Sequence, residues 1–205
     1  MAELILGTLL AIGVLLVGIK MIENFDVGST IDLDVGFLYY LACGLSVYVV
    51  WQVEGISGFN FWFLCGLVGY LVLSSFTDIK TLLIYSLFNY VFFIVGVIYS
   101  IINQVDVSGV PIMIGAVVVF WLLGVIKVYG AGDAEIFAVV AIFVMNLSVP
   151  SDYILNLLLI FFLAAISSLV LSISRMGVTK EKLRTKMPFA PGIAIAVMVW
   201  LVMFF

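Results

Sequence analysis

The chain contains no histidine, and cysteine is scarce. Without histidine, Ser-His-Asp and Cys-His catalytic sites and histidine-ligated metal sites are excluded. The two cysteines, Cys43 and Cys65, lie in apolar stretches without Cys-x-x-Cys spacing, which indicates neither a zinc cluster nor a disulfide framework. Any chemistry must therefore depend on carboxylates, lysines or hydroxyl groups, and we expect no metal and no cofactor.

Long polar segments are missing as well. Hydrophobic residues make up 66% of the chain and charged residues only 10%. Eight apolar stretches each approach the roughly 17 to 25 residues that cross a hydrocarbon core. They are residues 2–22, 35–53, 59–77, 82–102, 111–128, 134–149, 153–174 and 188–205. The sequence therefore predicts an all-α fold, a polytopic transmembrane helical bundle of about eight spans.

Positive charge is missing from one side of this predicted topology. If the spans alternate from an external N-terminus, every lysine and arginine falls on one face, which marks that face as cytoplasmic. These residues are Lys20, Lys80, Lys127, Arg175, Lys180, Lys182, Arg184 and Lys186. Both termini are then extracytoplasmic. Because Glu3 lies at the start of the first stretch and Lys20 near its end, we expect a retained span and not a signal peptide.

The sequence is interpreted as two regions. Residues 1–76 hold three spans and an acidic cytoplasmic loop, 23–34, and residues 77–205 hold five spans and both candidate catalytic aspartates. We expect a multi-pass protein of the cytoplasmic membrane, with the lipid bilayer as a partner and no nucleic acid.

Two aspartates lie at the cytoplasmic ends of predicted spans. Asp78 closes the stretch 59–77, and Asp133 ends the sequence Gly130-Ala131-Gly132-Asp133. Acidic residues at membrane edges are candidates for function. The predicted spans 82–102 and 111–128 between them form a helical hairpin, which permits Asp78 and Asp133 to approach each other. Two carboxylates about 3 Å apart hold a single proton near neutral pH, which provides an acid and a base for hydrolysis of a peptide bond.

The glycines beside Asp133 have two interpretations. Because Gly130 and Gly132 lack a Cβ atom, they permit positive φ and close approach of a peptide backbone. The simpler interpretation is a tight turn in which Asp133 caps the next helix through its free N–H groups.

Three separated motifs carry a resemblance to a known family. They are Thr77-Asp78-Ile79-Lys80 with Ile84 and Asn89 downstream, then Gly130-Ala131-Gly132-Asp133, then Pro188-Phe189-Ala190-Pro191. Together they resemble the type IV prepilin peptidases and archaeal preflagellin peptidases, the Gly-x-Gly-Asp membrane aspartyl proteases. The resemblance implies that Asp78 and Asp133 are catalytic, supported by Gly130, Gly132 and Lys80. It implies removal of a short basic leader from a prepilin-like or preflagellin precursor at the cytoplasmic face.

The resemblance also gives possible roles to other residues. Substrate contact by Pro188, Phe189 and Pro191 is implied by the family alone, since prolines also suit the first turn of a helix. The acidic residues Glu23, Asp26, Asp32 and Asp34 either attract the basic leader or form a solvated connector. Lys80 either tunes Asp78 or extends to the membrane interface.

Two features depart from the bacterial members of the family. The loop 23–34 is too short to hold their cysteine-rich domain, so we expect no methyltransferase activity. Glu135 stands where those relatives commonly carry lysine, which makes the surroundings of Asp133 more negative.

Two other functions remain open. A proton- or cation-coupled transporter would use the aspartates along a polar path. Spans four to six, however, offer mainly Ser86, Asn89 and Ser100 apart from their ends. A passive scaffold would use both aspartates only as helix caps, and their replacement by asparagine would then have little effect.

Overall fold

The computed structural model describes residues 1–25, 35–53, 56, 58–81, 83–104, 107–126, 130–179 and 188–205. Within these ranges the fold is all-α, as expected, with eight α-helices and one short 3₁₀ helix, Val107–Gly109. The α-helices are α1 Ala2–Phe25, α2 Phe37–Gln52, α3 Phe59–Thr81, α4 Ser86–Ile102, α5 Val110–Val125, α6 Ala131–Leu147, α7 Tyr153–Thr179 and α8 Ala190–Phe204.

Three helices are long and apolar enough to cross a membrane: Ala2–Asn24 of α1, Phe59–Thr81 of α3 and Tyr153–Ser174 of α7. Helices α2, α4, α5 and α8 are apolar but shorter. The count of eight spans and the external position of both termini therefore stay predictions.

Side-chain contacts show that α3 to α8 form an up-and-down bundle. Tyr70 of α3 bonds Asn89 of α4, and Asn60 at the start of α3 accepts hydrogen bonds from Tyr99 and Asn103 at the end of α4. These two helices are therefore antiparallel. The pairs α5–α6, α6–α7 and α7–α8 also run in opposite directions, as shown by the contacts Gly124–Ala134, Phe161–Phe137 and Gly192–Ala164.

Helix α3 lies at the centre of the bundle. In its apolar window 67% of residues are buried, against 33% for α1 and 28% for α7. It packs against α1, α2, α4 and α8. Gly69 permits close approach of the α1 backbone, because a Cβ atom there would lie 2.5 Å from the carbonyl oxygen of Ala11. Small residues at helix contacts are the usual solution in membranes, where close packing stabilises association.

The alternating directions place one set of helix ends together. The end of α3 and the starts of α4, α6 and α8 lie at the same end of the bundle. We call it the carboxylate end, because it holds Asp78, Asp133 and Glu135. The opposite end holds Asn60, Asn103, Asn146 and Asn156, and we call it the amide end. The suggested boundary at residues 76–77 lies inside α3, and the division into two regions stays a prediction.

Candidate active site

Asp78 lies in the last turn of α3 and is only 6% exposed. The helix continues through Thr77 to Thr81 because its polar side chains find local acceptors. The hydroxyl of Thr77 donates to the carbonyl of Ser74, and that of Thr81 donates to the carbonyl of Thr77. Asp78 itself accepts a hydrogen bond of 3.0 Å at Oδ2 from the backbone N–H of Ala190. The carboxylate therefore joins the end of α3 to the start of α8.

The segment Pro188-Phe189-Ala190-Pro191 explains this contact. A helix start leaves backbone N–H groups without partners inside the helix, and proline has no N–H to offer. Only Phe189 and Ala190 can donate from this segment, and the backbone of each hydrogen-bonds Asp78. Pro191 lies in the first turn of α8, as its sequence position suggested, and Pro188 precedes the helix. Ala190 is a functional residue that the sequence did not single out, and its signal is that Pro188 and Pro191 leave only Phe189 and Ala190 as backbone donors in this segment.

Asp133 is the third residue of α6 and is 7% exposed. Its Oδ2 atom accepts a hydrogen bond of 3.0 Å from the backbone N–H of Gly130, the residue that precedes the helix. This contact is one half of a capping box. Its Oδ1 atom is buried and has no hydrogen-bond partner among the described residues. Buried acceptors usually have partners, so this free oxygen marks Asp133 as a candidate for function.

The two aspartates approach each other although α3 and α6 themselves do not pack extensively. Asp78 and Asp133 interact electrostatically across the site. The segment before α8 connects their surroundings, because Phe189 lies beside Ala190 and its ring is 6.1 Å from that of Phe137, one turn after Asp133. The structure therefore brings together the two carboxylates that the sequence singled out.

The glycines act through close approach and not through positive φ. Gly130 has φ −70° and ψ 150°, which any residue can adopt, and Gly58 is the glycine with positive φ within the described ranges. A Cβ atom on Gly132 would lie 2.6 Å from the Cβ of Ile84, and one on Gly130 would lie 2.8 Å from the Asp133 Oδ2 atom. Both contacts are with side chains of this chain, so close approach of a peptide backbone to the glycines stays a prediction, whereas positive φ at this motif is wrong.

A hydrogen-bonded network lies next to the two aspartates. Glu135 Oε2 accepts from Asn89 Nδ2 at 2.7 Å, and Glu135 Oε1 accepts from Ser86 Oγ at 3.1 Å. Tyr70 then donates to Asn89 Oδ1 at 2.6 Å. The network thus connects α3, α4 and α6. In the sequence Asn89, Ser86 and Glu135 stand out only separately, and no pattern predicts that they meet.

The remaining candidate residues lie at different places. Lys80 is exposed, with its Nζ atom 6.0 Å from the Phe76 ring centroid, and whether it tunes Asp78 or extends to the membrane interface stays a prediction. Pro188 and Phe189 are half-buried and Pro191 is buried. Glu23 is exposed in the last turn of α1. Asp26, Asp32 and Asp34 lie outside the described residues, as do Lys127 and the basic residues 180–186.

Comparison with known proteins gives one match. The model of a family described as the type IV leader peptidase family matches residues 62–173. This region is more than half of the chain and includes Asp78, Asn89, Asp133 and Glu135. It ends before α8, so the backbone donors to Asp78 come from outside the matched region. Searches of curated proteins and of solved structures found no match.

Proposed function

The chain belongs to the type IV leader peptidase family, and on this premise we propose that it is an aspartic endopeptidase in which Asp78 and Asp133 form the catalytic pair. The family makes the protein a leader peptidase of the membrane. The observation that supports the aspartic mechanism is that two buried carboxylates from separate helices lie close enough to interact electrostatically. Such pairs are acid and base together when they hold one proton.

In this mechanism the ionised aspartate takes a proton from a water molecule while the protonated one donates to the carbonyl oxygen of the peptide. Water attacks the carbonyl carbon, and the proton then passes to the leaving nitrogen. General acid–base catalysis of this kind contributes about 10²- to 10⁴-fold to a rate. The Oδ1 atom of Asp133, which has no hydrogen-bond partner in the described part of the chain, supports the assignment, since a catalytic oxygen must be available to substrate or water.

The proposed substrate is a prepilin-like or preflagellin precursor with a short basic leader ahead of an apolar helix. The proposed site of the cut is the cytoplasmic face of the cytoplasmic membrane, in a multi-pass protein. Two features support a cut on the cytoplasmic side. Lys20 and Lys80 are both exposed near the ends of α1 and α3, and these helices are parallel because Gly7 lies against Phe61 and Gly18 against Leu73. Lysines at one end of a bundle mark the cytoplasmic side.

Packing between the two ends of the bundle favours a peptidase over a transporter. A transporter would need polar groups along a path through the middle of the membrane. Between the network of Glu135 and the bond from Asn146 to Ser100, α4 and α6 are joined by apolar contact. A Cβ atom on Gly96 would lie 2.8 Å from Ile142 and 3.3 Å from Phe143. This dense apolar contact separates the two polar ends.

The test is co-expression with tagged precursors that carry prepilin-like or preflagellin leaders. We expect the wild type to remove the leader, and Asp78→Asn and Asp133→Asn to leave the precursor at full length. Protein levels in the membrane fraction must match, and product size is read on gels and by mass spectrometry.

Processing by either asparagine variant at the wild-type rate would contradict the catalytic pair. If the wild type processes none of the precursors, while proton or cation flux into vesicles depends on both aspartates, the transporter is supported instead.

A further inference from the structure

Glu135 is a carboxylate at the carboxylate end that hydrogen-bonds to a neighbouring helix and that the proposed mechanism does not use. It lies in the first two turns of α6, two residues after Asp133, and is half-buried. Burial of a carboxylate is costly unless its oxygens receive hydrogen bonds. Both oxygens do receive them, from Ser86 and Asn89. A solvated surface charge would not need this arrangement, so the contacts give Glu135 a structural purpose near the site.

The donors to Glu135 are themselves fixed. Ser86 is the first residue of α4, and Asn89 lies one turn later with only 2% of its surface exposed. Asn89 accepts the hydroxyl of Tyr70, which is fully buried in α3. Asp78 follows Tyr70 by eight residues on the same helix, a spacing that places both on one face. The network therefore runs from the helix of one aspartate to the helix of the other.

We propose that Glu135 is a positioning residue that holds the start of α6, and with it Asp133, in place relative to Asp78. This inference rests on the proposed peptidase function. Asp133 needs such support because its own helix makes few direct contacts with α3 and its Oδ1 atom has no partner among the described residues. Ser86 and Asn89 belong to α4, which lies between the other two helices in this network. Helix α4 therefore fixes the position of α6 relative to α3. Glu135 acts through hydrogen bonds, and a neutral residue of the same shape serves equally.

The test of this role compares Glu135→Gln with Glu135→Ala in purified protein. Glutamine accepts from Asn89 through its oxygen and donates to Ser86 through its nitrogen, so we expect kcat within about threefold of wild type. Alanine removes both bonds. Displacement of a catalytic group by about 1 Å can cost about 10²-fold, so we expect kcat to fall about 10- to 100-fold while KM changes less than about twofold.

The matched control is Asn60→Ala at the amide end. Asn60 also connects α3 with α4, because its Oδ1 atom accepts from both Tyr99 and Asn103. Its loss should lower thermal stability about as much as Asn89→Ala but leave kcat near the wild-type value. In Asn89→Ala, by contrast, kcat should fall as it does in Glu135→Ala. In the double variant Asn89→Ala/Glu135→Ala, kcat should be little lower than in either single variant, because both changes break the same contact.

A second measurement does not depend on cleavage. Hydrogen exchange by mass spectrometry should show faster exchange of peptides covering residues 131–137 in Glu135→Ala and not in Glu135→Gln or Asn60→Ala. Unchanged exchange there in Glu135→Ala would overturn the proposal. So would equal loss of kcat in Asn60→Ala, or a Gln variant as slow as the Ala variant. If the wild type cleaves no precursor, the proposed function fails, and the exchange result still decides whether Glu135 positions α6.

Discussion

The two ends of the bundle are built alike but carry different chemistry. At each end, polar side chains of α3, α4 and α6 form hydrogen bonds between helices. Asn60, Tyr99 and Asn103 do so at the amide end, and Tyr70, Asn89 and Glu135 do so at the carboxylate end. Each end also contains buried oxygen atoms without partners among the described residues: Asn146 Oδ1 and Asn156 Oδ1 at one, Asp133 Oδ1 at the other.

The difference lies in what these oxygens can do with a proton. An amide oxygen accepts hydrogen bonds but does not exchange a proton near neutral pH, whereas a carboxylate does both. The amide end also holds a cavity of about 370 Å³, lined by Asn60, Asn103, Asn146 and Tyr153 among others. A cavity or an unpartnered oxygen is therefore not sufficient by itself to identify the candidate active site. What distinguishes the carboxylate end is its pair of ionisable groups, Asp78 and Asp133.

The largest expected effect separates capping from catalysis at Asp133. Asparagine can still accept from the Gly130 N–H, whereas alanine cannot. We expect both Asp133→Asn and Asp133→Ala to lower the rate of leader removal by at least about 10³-fold, because each lacks a group that exchanges a proton. Only Asp133→Ala should also lose about 0.5 to 2 kcal/mol of stability. Rates and thermal unfolding of the purified variants measure the two effects. An active Asn variant beside an inactive Ala variant would mean that Asp133 acts as a helix cap and not as a catalytic group.

The next effect concerns the contact between Gly132 and Ile84. A methyl group on Gly132 would collide with the Cβ of Ile84, so Gly132→Ala must separate the starts of α6 and α4. Overpacking of this kind typically costs about 1 to 3 kcal/mol. We expect leader removal to slow about 10- to 100-fold in a cleavage assay. Gly115→Ala is the control, because nothing lies within 4 Å of that position and its rate should be unchanged. Equal rates in the two variants would refute the steric explanation.

A smaller effect is expected from placing a carboxylate at the amide end. Asn146 donates through Nδ2 to Ser100 Oγ and to the Ile142 carbonyl oxygen, and aspartate has no such donor. Asn146→Asp should therefore lower stability by about 1 to 3 kcal/mol. The rate of leader removal per folded molecule should stay within about twofold of wild type. Thermal unfolding and active-site titration measure both quantities. A larger loss of rate would mean that the two ends are coupled.

The smallest effect is expected at Lys80. Its side chain is exposed and lies over the edge of Phe76, where a cation contributes about 0.5 to 1 kcal/mol at most. Lys80→Met should leave leader removal within about twofold of wild type and stability within about 0.5 kcal/mol. A fall in rate of more than tenfold, measured at equal protein level, would give Lys80 the tuning role instead.

Helix positions followed from the sequence because apolar stretches of this length have few alternatives. The stretch 59–77 predicts α3, which continues to Thr81 because Thr77 and Thr81 bond within the helix. The stretch 134–149 predicts α6, yet the helix starts earlier, at Ala131. Asp133 therefore lies inside its first turn, where the Gly130 N–H needs an acceptor.

Contacts between helices could not be predicted in the same way. In a soluble helix the apolar stripe shows which face is buried. Here both the core and the lipid-facing surface are apolar, so the pattern does not fix how each helix is rotated. The isolated polar residues held the missing information. Ser86 and Asn89 meet Glu135, and Ser100 meets Asn146.

The most direct test of the catalytic pair is the pH dependence of leader removal by the purified protein with a synthetic precursor peptide. If Asp78 and Asp133 act with one shared proton, kcat should fall on both sides of a maximum. Below it both aspartates are protonated, and above it both are ionised. Neither Asp78→Asn nor Asp133→Asn should show activity at any pH. A rate that falls on only one side, or a bell-shaped profile that persists in either asparagine variant, would contradict the account.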